Sequence, residues 1–101
     1  MDGRTETEAD RGPVRMQVIF RGRVQGVFFR ATTERIARGR PVDGWVRNEA
    51  DGSVRLVAEG RRGDLEAFLS AVQEAKRRGI EDADVRWGPA DGGLVGFSIR
   101  R

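Results

Sequence analysis

The run from Val14 to Arg30, VRMQVIFRGRVQGVFFR, decides how the chain is read, because its hydrophobic period changes partway along. Val14, Met16, Val18 and Phe20 alternate with Arg15 and Gln17, the period-two pattern of a half-buried strand, with Ile19 breaking the polar set. Beyond Phe29 the apolar residues recur at helical spacing. Between strand and helix stand two glycines, Gly22 and Gly26, which let the backbone turn tightly and leave N–H groups free to converge on an anion at the positive end of a helix dipole. The expected phosphate-binding loop is Gly22, Arg23, Val24, Gln25, Gly26, Val27 and Phe28. Arg30 adds a guanidinium that matches the forked geometry of a phosphoryl group. Arg23, Gln25 and Phe28 are expected to contribute backbone amides and leave their side chains in solvent.

Working outward, Phe29, Thr33, Ile36 and Ala37 mark a first helix from about residue 28 to Arg38, stopped by Gly39 and Pro41. Val42 to Glu49 and Ser53 to Glu59 flank Asp51-Gly52, a strong hairpin signal. Leu65, Phe68, Leu69 and Val72 predict a second amphipathic helix, with Lys76, Arg77 and Arg78 near its C-terminus as ordinary macrodipole stabilisation. A charged loop over 79–85 and two short strands, about Asp84 to Trp87 and Leu94 to Ile99, complete the chain. The predicted fold is α+β: a ferredoxin-like split βαβ sandwich, with a mixed, mainly antiparallel sheet of four to five strands and two helices on one face. Residues 1–12 carry too little apolar surface to offset the entropy of ordering and are expected to be a disordered extension, with the domain spanning 13–101.

At 101 residues the chain suits one core. It contains no cysteine and no histidine, which removes a disulfide framework, a thiolate nucleophile and the ligands that zinc prefers. No metal and no cofactor are expected. No run approaches the about twenty apolar residues of a membrane span, so a cytoplasmic protein without a membrane partner is expected. The sequence pI of 10.8 points toward nucleic acid, but the formal net charge is only +3. Its basic residues are balanced by acids along the whole chain, and no nucleic-acid partner is expected.

Two blocks resemble the acylphosphatase family: Gly22-x-Val24-Gln25-Gly26-Val27-x-Phe29-Arg30, then Gly44-Trp45-Val46-x-Asn48-x-x-Asp51-Gly52-Ser53-Val54, with a closing Phe97-x-Ile99-Arg100. The resemblance extends over nearly everything from Met16 onward. It implies hydrolysis of a small-molecule acyl phosphate to a carboxylate and inorganic phosphate, the latter both product and competitive inhibitor. It also implies that Arg30 binds the phosphoryl group while Asn48 orients the attacking water.

The chemistry is consistent with so sparse a set of residues. A carboxylate leaving group, with a pKa near ~4, needs no strong general acid, so binding and orientation suffice. Asn48 cannot act as a base, and the resemblance implies that the water's proton passes to a phosphate oxygen of the substrate. Trp45 and Trp87 are expected to pack and not to touch substrate. The alternative is an RNA-binding module of the same split sandwich, but its stacking aromatics belong on central strands of the open sheet face, whereas Phe28 and Phe29 sit together at a helix start. A third reading, a domain that binds an acyl or carbamoyl phosphate for a partner enzyme, fits a free-standing chain less well. A monomer is expected, because one sheet edge can hold the whole site.

Overall fold

The computed structural model describes residues 12–101. The expected disordered extension therefore lies, apart from Gly12, outside the described residues. The elements are β1 (Val14–Gly22), α1 (Phe29–Arg38), β2 (Asp43–Asn48), β3 (Val54–Gly60), α2 (Arg62–Ala75), β4 (Ile80–Pro89) and β5 (Phe97–Arg100). They form one five-stranded sheet in the order β4-β1-β3-β2-β5. β3 runs antiparallel to both β1 and β2, so β1 and β2 point the same way, and β5 joins the far edge parallel to β2.

Alternation builds the core. Met16, Val18 and Phe20 of β1, Val46 of β2, and Val54, Leu56 and Ala58 of β3 are buried on one face. The register sets Met16 opposite Ala58, Val18 opposite Leu56 and Phe20 opposite Val54. Against this face lie Phe29 and Ala37 of α1 and Leu65, Phe68 and Val72 of α2, all in one hydrophobic cluster. Each of the larger side chains, from valine up to phenylalanine, stabilises the fold by about 1.5–3 kcal/mol relative to exposure, and the two alanines by less. Phe20 and Phe29, with ring centroids 5.0 Å apart, join the end of β1 to the start of α1 directly beneath the loop between them.

Two expectations change. Residues 79–85 are not a loop: β4 starts at Ile80 and pairs with β1 as far as Val14 opposite Pro89. Its acids hide the strand pattern because β4 lies at the sheet edge, where outward side chains meet water. β5 begins only at Phe97, because Gly96 takes a positive φ of 73° and is tied by its N–H to Asp43 Oδ1 and by its carbonyl to the Gly44 N–H, both at 2.8 Å.

The segment leading to β5 is also held by Glu59, which is buried in β3. Its carboxylate accepts from the Asp91 N–H at 2.8 Å, the Gly92 N–H at 3.1 Å and Arg15 Nε at 2.9 Å. Burial pushes the carboxyl pKa up, but the hydrogen bonds from Asp91, Arg15 and Gly92 and the Arg15 charge outweigh it and hold the pKa below its ordinary value. A depressed folded-state pKa gives stability that is present above the unfolded-state value and lost as pH falls through the folded one. Glu59→Gln turns an amide N–H toward donors and is expected to cost about 1–3 kcal/mol at neutral pH. Urea unfolding should show that difference shrinking as pH drops below the ordinary carboxylate range; equal stability of the two proteins at pH 7 would rule the clamp out.

Candidate active site

The turn from β1 into α1 is shaped by two close backbone approaches. Gly22 has a φ of 124°, and a Cβ there would sit 2.3 Å from the Gly79 carbonyl oxygen. A Cβ on Gly79 would in turn lie 2.2 Å from the Arg23 carbonyl oxygen. The bare backbones meet closely enough for the Arg23 N–H to donate to the Gly79 carbonyl at 2.9 Å. Val24 is fully buried and anchors the loop's first half in the core.

Two side chains brace the rest. Gln25 Nε2 donates to the Glu49 and Ser53 carbonyls, each at 2.8 Å, and so fastens the loop to the β2–β3 hairpin. This corrects the expectation that the Gln25 side chain is left in solvent: the two hairpin carbonyls give its amide a better partner than water. Lys76, just beyond α2, donates to the Val27 carbonyl at 2.6 Å. It was expected only to complement the helix dipole. Arg23 and Phe28 do have exposed side chains, as expected.

The braced loop presents donors without partners. No backbone hydrogen bond among the described residues uses the N–H groups of Val24, Gln25, Gly26, Val27 or Phe28. α1 begins with neither a side-chain cap nor an acid in its first turn, and its N-terminal position, Phe28, has φ 61° and ψ 26°. An uncapped helix start with free N–H groups and an uncompensated dipole favours an anion.

Val24, Gly26 and Phe28 of this loop border a cleft of about 300 Å³ that is also lined by Arg30, Asn48 and Ile99 among others, and in it Arg30 is the one charged residue. The Arg30 guanidinium donates to the Arg100 carbonyl at 3.3 Å, so β5 steadies it. Asn48 reaches the same cleft from the end of β2, and its Oδ1 is buried with no hydrogen-bond partner among the described residues. The following turn closes without it, through Asp51 Oδ1, which accepts from the Ser53 N–H and hydroxyl, and through the Glu49 N–H on the Ser53 carbonyl. The neighbouring acid, Glu49, is occupied by Arg47 and Arg55 at 3.0 Å each. Arg30, Asn48, Gly26 and Phe28 are thus brought to one cleft, with Val24 in its wall, whereas Gly22, Arg23, Gln25 and Val27 shape or brace the loop.

A larger hollow of about 480 Å³ between the loop and the end of α2 is lined by Arg23, Val27 and residues 74–79. It contains neither Arg30 nor Asn48. Trp45 lies on the open face between Arg47 and Arg100, whose guanidinium carbons are 4.9 and 4.7 Å from the centroid of its ring, and Trp87 packs against the core beneath Arg62.

The chain is similar to known proteins over most of its length. The profile of the Acylphosphatase family matches residues 16–99. A relative from Salinibacter ruber named Acylphosphatase is 53% identical over 81 residues, covering 79% of this chain and 85% of its own length. One of the same name from Haloarcula marismortui is 41% identical over 87 residues, covering 85% and 94%. The crystal structure of acylphosphatase from Bacillus subtilis superposes with a TM-score of 0.78 at 34% identity, covering 87% of this chain and 99% of that one. The family profile matches most of the sequence, these relatives are covered over 85% or more of their own length, and the chain belongs to the acylphosphatase family.

Proposed function

We propose that this protein hydrolyses the carboxyl–phosphate bond of small acyl phosphates without a metal ion, yielding a carboxylate and inorganic phosphate. The observation that carries the reading is the buried, partnerless Oδ1 of Asn48 in the cleft that holds Arg30. A buried acceptor without a donor costs about 1–3 kcal/mol, and a water donating a hydrogen bond to it removes that cost. Such a water has its lone pairs free for phosphorus.

In this mechanism the loop N–H groups and Arg30 hold the phosphoryl oxygens and stabilise their charge in the transition state. The water oxygen forms the new bond to phosphorus as the bond from phosphorus to the acyl oxygen breaks. The carboxylate leaves with the bonding electrons, and the water's proton passes to a phosphate oxygen. No acid or base lines the cleft, and this leaving group calls for neither.

Product phosphate occupies the same donors and inhibits competitively. One chain supplies every residue of the cleft, so we read the enzyme as a monomer, and we place it in the cytoplasm. An RNA-binding role is disfavoured because the Trp45 ring on the open face is flanked by its own arginines and has no aromatic neighbour there with which to stack successive bases.

Purified protein is expected to hydrolyse benzoyl and acetyl phosphate in excess chelator and to act poorly on alkyl phosphate monoesters, whose alkoxide leaving groups need an acid. Activity that vanishes with chelator, or equal turnover of a monoester, would overturn the mechanism. Arg30→Ala should weaken phosphate inhibition and lower turnover by on the order of 10² or more. Arg30→Lys should remain impaired, because the charge returns without the fork. An unchanged inhibition constant in Arg30→Ala would place the guanidinium away from the anion.

Asn48→Ala should lower kcat by on the order of 10² while phosphate affinity stays within a few fold. Its side chain makes no hydrogen bond within the described residues, so the unfolding midpoint should hold. Thermal unfolding measured beside the rate decides this: wild-type kcat in a folded variant removes the water-orienting role, and a lowered midpoint with a matching loss of rate makes Asn48 structural.

A further inference from the structure

The cleft carries apolar surface that the phosphoryl chemistry does not use. Phe28 is 82% exposed and Ile99 is 42% exposed, and both line the cleft with Arg30 and Asn48. Phe28 is also the one non-glycine residue with positive φ among the described residues. A left-handed backbone is costly for a bulky aromatic residue, and such strain gathers at functional sites. The ring is largely in solvent and belongs to neither of the described aromatic pairs, Phe20 with Phe29 and Phe68 with Phe97.

Ala31, one helical turn beyond Phe28 and on the same face, lines the cleft too. The result is an apolar border beside a polar floor with a single cation. With a phosphoryl group on that floor, this border is the apolar lining left for its acyl substituent. An aromatic acyl group would cover the Phe28 ring and Ile99 side chain and remove apolar surface from water on both partners, whereas an acetyl methyl covers little of either.

We propose that Phe28 and Ile99 form an acyl-recognition rim that makes the enzyme selective for aromatic acyl phosphates over acetyl phosphate. This rests on the acyl phosphate reading above and adds the acyl side to it. The test is kcat/KM for benzoyl and acetyl phosphate, together with inhibition by inorganic phosphate, in the wild type, Phe28→Asn, Phe28→Leu and Ile99→Thr. Asparagine tolerates the left-handed backbone, so Phe28→Asn removes the ring while keeping the loop conformation accessible.

Phe28→Asn is expected to lower the benzoyl-to-acetyl ratio by about tenfold, mainly through KM for benzoyl phosphate. Ile99→Thr should lower it by a few fold, and Phe28→Leu should retain most of it. An unchanged ratio in Phe28→Asn overturns the rim. An equal loss on both substrates with weakened phosphate inhibition overturns it as well, because the ring would then act on loop geometry alone. Wild-type protein that turns over neither substrate defeats the acyl phosphate reading itself, an outcome distinct from a failed rim.

Discussion

Everything at the candidate site depends on two stretches of backbone meeting where there is no room for a side chain. Gly22 and Gly79 face each other so closely that a Cβ on either would collide with a carbonyl oxygen, of Gly79 or of Arg23. That approach turns the chain out of β1 into a loop whose N–H groups are not consumed by the sheet. Sheet pairing would have satisfied those donors and left the start of α1 without a free row of N–H groups. The glycines thus act by exclusion, since they prevent the ladder from continuing past Gly22.

Once the chain has left the sheet, its conformation must be held without using the freed donors. The braces are chosen accordingly. Gln25 acts through its side chain on carbonyls of the hairpin, Lys76 acts on the Val27 carbonyl, and Val24 anchors by burial. Each hydrogen bond contributes only about 0.5–1.5 kcal/mol net. Their value lies in fixing the loop conformation in advance while leaving its N–H groups unpaired. Arg30 follows the same logic, because the Arg100 carbonyl accepts from it without neutralising its charge.

The sequence made the meeting of Arg30 and Asn48 legible because both follow from local rules. A glycine-bearing strand-to-helix turn places Arg30, the Asp51-Gly52 hairpin places Asn48, and the βαβ crossover sends β1 and β2 to the same sheet edge. The braces were hidden for the opposite reason. Gln25 finds its partners 24 and 28 residues away, Lys76 finds its partner 49 residues back, and Arg30 bonds a carbonyl 70 residues on. Backbone carbonyls have no residue signature, so such pairings leave no pattern in the chain. Gly79 carried no distinguishing neighbours, since its meaning depends on Gly22 lying opposite. β4 was underestimated because its acids oppose strand propensity, which edge exposure overrides.

Those same acids govern how copies of the chain treat one another. A ten-residue strand at a sheet edge offers a row of unpaired backbone groups on which a second chain could add its own strand, the first step toward fibrous aggregation. Glu81, Asp82, Asp84 and Arg86 line that edge strand with charge. A strand docking there would bring its own side chains against ions it would have to strip of water. At the opposite edge β5 is only four residues long and offers little template. Among the described residues, both edges of the sheet thus carry features that work against strand addition by a second copy: charge along one and shortness at the other.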